Sequence, residues 1–189
     1  MKRFVFVLGC LFLMPCPLAQ AQSKSRLLQP FEAALLAIDT PPPPSFWTRH
    51  GEEGVLALFE IASDPRRPLP LRRRAARALA HFRSESARQA LRALIDSSDD
   101  VLARFALRAL VEVEHERAVP LLRNIIESGK PFLRRAAIED LLYLFRITPA
   151  KDHLRALLRD LAIPHADPAL RIQIEKALAS RPTHAAPRE

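Results

Sequence analysis

The sequence predicts an all-α solenoid of about four stacked helical repeats, and two observations carry that prediction. The first is self-similarity. Leu71-Arg72-Arg73-Arg74-Ala75-Ala76-Arg77-Ala78-Leu79 returns as Leu102-Ala103-Arg104-Phe105-Ala106-Leu107-Arg108-Ala109-Leu110, and again as Leu133-Arg134-Arg135-Ala136-Ala137-Ile138-Glu139-Asp140-Leu141. The closing leucines Leu79, Leu110 and Leu141 recur every 31 residues, and a fourth copy, Leu170 to Leu178, follows after 37. A repeat of this length is one helix pair, which buries its apolar face only by stacking on its neighbours. The second observation is periodicity. Leu102, Phe105, Ala106, Ala109, Leu110 and Val113 fall at i, i+3, i+4, i+7, i+8 and i+11, one face of an α-helix.

Taken in order, residues 1–21 stand outside that fold. Lys2 and Arg3 precede an apolar run from Phe4 to Met14, and Ala19-Gln20-Ala21 has the small-x-small form of a cleavage site. These are the three regions of a secretory signal peptide, predicting a mature chain from Gln22 that is periplasmic or secreted. The alternative is lipid anchoring at Cys10, because Val7-Leu8-Gly9-Cys10 resembles the box before a lipid-modified cysteine. Both cysteines, Cys10 and Cys16, lie in this segment, so the mature chain is expected to rely on packing rather than disulfides. No later stretch is apolar for long enough to span a membrane.

Residues 22–50 form an N-terminal helix and a proline-rich segment. Phe31 to Asp39 is expected to be helical, with Pro30 tolerated at its first position. Thr40-Pro41-Pro42-Pro43-Pro44-Ser45 then reads as a polyproline II spacer. Residues 51–180 are the repeat domain. Gly54 to Ser63 is the second helix of a degenerate opening repeat, and Asp64 to Pro70 is a loop interrupted by three prolines. The later second helices are expected over Glu85 to Ile95, from Ala118 to a left-handed cap at Gly129, and over Lys151 to Leu161. Residues 181–189 form a tail. Alanines recur at fixed places (Ala75, Ala106 and Ala137; Ala78, Ala109 and Ala177), marking lines where helices approach closely.

The formal charge of +8 rests on 24 arginines against 5 lysines. Together with abundant Ala and Pro, that bias matches a GC-rich coding background more than an anion-binding adaptation. Nucleic acid is not an expected partner: Trp47 and Tyr143 are the only residues of their kinds, so platforms for base stacking are scarce.

The pattern Leu/Val-Arg-x-x-Ala-x-x-Ala-Leu, with Asp167-Pro168-Ala169-Leu170-Arg171 at one repeat start and Ala118-Val119-Pro120-Leu121-Leu122 at one second helix, resembles HEAT repeats of the short, phycobilisome-lyase-like type. The resemblance covers about residues 50 to 180 and implies a right-handed α-α superhelix working mainly as a scaffold or adaptor. Ala103 replaces the motif arginine in one copy and Asp-Pro is missing before Leu133, so an Asp–Arg ladder between repeats is expected to be incomplete.

Three arginines, Arg92, Arg123 and Arg155, each follow the first core leucine of a second helix and are expected to align as a basic ladder for an acidic protein partner. Set against this is local pairing, Arg92 with Asp96 and Arg123 with Glu127 at i,i+4. Asp140 occupies the place of Ala78, Ala109 and Ala177 on the buried side, and Arg104 or Arg108 is its expected mate. No catalytic, metal or cofactor motif stands out: His115 among Glu112, Glu114 and Glu116 reads as a hydrated turn, and no G-x-S-x-G elbow occurs. The function predicted is therefore an exported, non-catalytic protein-binding scaffold. The alternatives are an accessory subunit of an envelope enzyme, with a pocket around His115 or Asp140, and self-assembly through an uncovered end helix, Phe31 to Ile38 or Ile172 to Leu178.

Overall fold

The computed structural model describes residues 28–37, 42–148 and 152–179. The signal-peptide segment, both cysteines and the tail lie outside them. Every regular element among the described residues is helical. A short helix α1 covers 28–36, and α2 covers Pro44–Thr48, α3 Gly51–Ser63 and α4 Leu69–Ala78. Helix α5 covers Glu85–Ile95, α6 Asp100–Glu114, α7 Val119–Ser128 and α8 Pro131–Ile147. Then α9, Asp152–Leu157, widens into a π turn, Leu158–Ala162, continues as α10, Ile163–His165, and is followed by α11, Pro168–Ala179.

The chain folds as two layers. The first helices α4, α6, α8 and α11 pack side by side in sequence order. Second helices cover them: α3 lies on α4, α5 on α6 and α3, and α7 on α8 and the π turn. The repeat leucines explain the arrangement. Leu79, at the end of α4, and Leu110 and Leu141, within α6 and α8, are buried, as are Leu91, Leu122 and Leu154 of the second helices. Ala75, Ala106 and Ala137 are fully buried, where a larger side chain would hold adjacent first helices apart. One continuous core runs through all the repeats, giving the all-α solenoid that the sequence predicts.

Several boundaries differ from expectation, each for a physical reason. The polyproline spacer is shorter than expected. Pro43 is extended, at φ −65° and ψ 156°, but Pro44 opens α2, because a fixed φ near −65° suits a first helical turn as well as an extended one. Likewise α4 begins at Leu69 and takes Pro70 into its first turn, where no internal hydrogen bond is lost. Helix α1 is already helical at residue 28, ahead of Pro30, and buries Leu28 together with Phe31 and Leu35. Gly129 ends α7 with φ −73° and ψ 165°, not in the left-handed region. Its requirement is space: a Cβ there would lie 2.3 Å from the Ile125 carbonyl oxygen. The positive φ falls instead on His115, at 50°, where α6 breaks into a 3-10 turn over His115–Ala118.

The π turn has a cause in the sequence. Pro164 follows Asp160 by four residues, so an α-helical course would drive its ring into the Asp160 carbonyl. Widening over Leu158–Ala162 makes room for it. No helix among the described residues is long and apolar enough to cross a membrane.

The N-terminal helices pack on the first repeats. Phe31 meets the edges of Phe46 and His50, and Trp47 lies parallel to His81 with centroids 6.3 Å apart. Arg74 of α4 donates to the Leu35 carbonyl at 2.7 Å, and Arg67 pairs with Glu32. At the other end α11 buries Leu170 and Ile174 inward. It turns Arg171, Gln173, Glu175 and Lys176 outward beside the exposed Ile172.

Candidate functional site

Arginines on the first-helix layer are largely consumed by the fold. Arg72 is buried; its Nε donates to the Ala62 carbonyl at 2.9 Å and its Nη1 to Asp99 Oδ2 at 2.8 Å. Asp99 also caps α6, accepting from the Leu102 amide at 3.1 Å, so one carboxylate fixes a helix start and ties two repeats together. Asp167 does the same for α11 through the Leu170 amide at 3.0 Å. Its arginine is Arg135 at 2.7 Å, whereas the motif residue Arg134 turns back to the Gly129 carbonyl at 3.2 Å. With Ala103 in the remaining copy, the Asp–Arg ladder has gaps.

Further along that layer, Arg104 reaches Glu139 at 2.8 Å and Arg108 reaches Asp140 at 2.9 Å. Asp140 is thus held by Arg108 and not by Arg104. Arg108 also donates to Glu112 at 3.1 Å and lies 3.5 Å from the centre of the Tyr143 ring. Burial pushes the Asp140 carboxyl up to about 6, against the opposing pull of Arg108; neighbouring Glu139 adds to the rise and Arg104 opposes it. Asp140 and Arg108 thus form a largely buried ion pair in which Glu112 shares the guanidinium and Glu139 adds a second negative charge nearby.

Arg92, Arg123 and Arg155 sit in three different situations and do not form a uniform ladder. Arg92 is held by Glu114 at 2.5 Å and by Glu85 at 3.6 Å, not by Asp96. The Glu114 side chain is only 7% exposed, so Arg92 neutralises a nearly buried carboxylate. Arg155 turns toward the body, donating to the Leu178 carbonyl at 2.9 Å with its guanidinium 5.6 Å from the Phe145 ring centre. Arg123 is exposed, as Arg92 is, but unlike Arg92 it makes no ion pair among the described residues.

Arg123 stands on a groove of about 600 Å³ between α7 and the α9–π segment. One wall is Val119, Arg123 and Glu127, a single stripe at i, i+4 and i+8. The other is His153, Ala156, Leu157, Asp160 and Leu161, again one helical stripe. The floor is apolar and the rim charged. His153 at one end lies 3.7 Å from Glu116, while Glu127 and Asp160 gather at the other. The groove was not legible in sequence because it depends on how α7 and the α9–π segment lie against each other, which the spacing of residues within each helix does not fix.

His115, with its positive φ, is exposed at the α6–α7 turn, and neither it nor Asp140 lines this groove. No group of three or more His, Asp or Glu side chains among the described residues is placed to hold a metal ion.

Two layers of paired helices, linked repeat to repeat by a shared leucine core and by helix-capping carboxylates, define a helical-repeat interaction scaffold. The comparison with known families agrees: HEAT repeats match residues 55–142 and, overlapping, 93–160, more than half of the chain. The chain belongs to the HEAT-repeat family. No curated protein and no solved structure matches it.

Proposed function

We propose that the protein is an exported, non-catalytic adaptor that holds a protein partner along the groove between α7 and α9. The observation that carries this reading is Arg123, an exposed guanidinium without an ion pair among the described residues, set over an apolar floor. A partner fits if it places an acidic group on Arg123, apolar side chains on Leu157 and Leu161, and a basic group near Glu127 and Asp160. The sequence of residues 1–21 supports export, and the HEAT-repeat scaffold supports binding over catalysis.

The test uses the tagged protein as bait in an envelope fraction, beside Arg123→Glu and, as a charge-matched control away from the groove, Arg171→Glu. One dominant partner is expected on the wild type, released by salt, absent from Arg123→Glu and retained by Arg171→Glu. A partner held equally by Arg123→Glu overturns the groove, and a bait that captures nothing overturns the adaptor reading. N-terminal sequencing of the exported protein is expected to begin at Gln22; a start at Cys10 would replace a free protein by a lipid-anchored one.

A further inference from the structure

A second cleft, of about 630 Å³, lies at the opposite end of the molecule, where α1 and α2 meet α4 and the 3-10 turn Leu79–His81. Arg74 and Arg77 stand on it one helical turn apart on α4. Arg77 is exposed and has no ion pair among the described residues, while Arg74 spends one Nη on the Leu35 carbonyl and keeps donors to spare. The acidic group on the cleft, Glu112, pairs through one oxygen with Arg108, so its single charge is partly offset against the two arginines. Burial and the nearby Arg77 lower the pKa of His81, partly offset by Glu112, so the imidazole adds no positive charge at neutral pH. The remainder of the wall is apolar, including Ala34, Ala78 and the indole of Trp47.

We propose that this cleft binds a small organic oxyanion, a carboxylate or phosphate monoester carried on a compact apolar body. Two guanidiniums with free donors match a planar or tetrahedral oxyanion, and their fork geometry favours it over a simple halide. The volume is that of a small-molecule site, and the alanine and indole surface gives the apolar body a place to leave water. This inference is independent of the α7–α9 groove, since the two clefts share no residue.

Trp47 is the only tryptophan in the chain and lines the cleft, so its fluorescence reports occupancy directly. The purified protein would be titrated with phenyl phosphate and with benzoate, and in parallel with inorganic phosphate and benzyl alcohol, following fluorescence and heat. A saturable change is expected with one or both aromatic anions, and which binds tighter tells a phosphate ligand from a carboxylate. Inorganic phosphate and benzyl alcohol should each bind at least about tenfold more weakly, lacking half of the recognition. Arg74→Gln with Arg77→Gln should weaken the aromatic anion by about tenfold or more. Because Arg74 also anchors α1, Arg77→Gln alone keeps the test sound, with a smaller loss at an unchanged melting temperature. No saturable response to either aromatic anion, equal binding of inorganic phosphate, or unchanged affinity in both variants would overturn the proposal.

Discussion

Asp140 places a carboxylate where the other repeats carry Ala78, Ala109 and Ala177, and the consequence is a pH dependence of known sign. Its pKa rises from 3.8 to about 6 on folding because burial penalises the charged form more than Arg108 favours it. The folded state therefore prefers the proton. The stabilisation is fully present below about pH 4 and is lost as the pH rises through 6. A shift of this size corresponds to about 2–3 kcal/mol between those limits. Urea unfolding of wild type and Asp140→Asn at pH 4.5 and 7.5 is expected to show that difference in the wild type and little of it in the variant. An equal pH dependence in both would dismiss Asp140 as its source. Arg108→Ala, by contrast, strands a buried carboxylate and should cost about 3 kcal/mol at neutral pH, with a smaller loss at pH 4.5. The oddity of Asp140 was legible from repeat register alone. Its partner was not, because Arg104 and Arg108 lie one turn apart on α6 and only the packing of α6 on α8 decides that one reaches Glu139 and the other Asp140.

At the scale of elements, the helices were legible because apolar spacing and repeat register agree, and α5 spans the expected Glu85–Ile95. What register cannot show is how a connection turns. Gly129 and His115 exchange the roles their residue types suggest: the glycine has an ordinary φ, and the histidine a positive one. Gly129→Ala must push a methyl group against the Ile125 carbonyl and should cost about 2 kcal/mol. Gly51→Ala has open space around it and φ 51°, so only the backbone preference is lost, about 1 kcal/mol. His115→Gly should stabilise by up to about 1 kcal/mol by removing a side chain from a conformation glycine adopts freely. Chemical denaturation of the three variants checks the order. A destabilised His115→Gly would mean that the imidazole has a structural task that its exposure conceals.

Across the whole molecule, neighbouring repeats are joined by a shared leucine core and a few charged links of unequal depth. Stability in such a chain is close to a sum over repeats and their interfaces, so a weakened interface lowers cooperativity as well as total stability. Arg72 and Arg135 test the point because they make the same kind of bond to Asp99 and Asp167. The Arg72 side chain is 11% exposed and bridges Ala62 to the cap of α6, whereas Arg135 is 56% exposed at the edge. Solvent screens the exposed pair to about 0–1 kcal/mol, and Arg135→Ala should leave one sharp transition at nearly the same midpoint. Arg72→Ala strips the Ala62 carbonyl and the capping carboxylate of a donor in one step and should cost about 3 kcal/mol. That loss falls on the interface between α3–α5 and the repeats that follow, so its unfolding curve should broaden or split, with the N-terminal part melting first. Hydrogen exchange should then show α3 and α4 losing protection ahead of α6 and α8. A single transition for Arg72→Ala, as steep as that of the wild type, would mean that the leucine core alone carries the coupling between repeats.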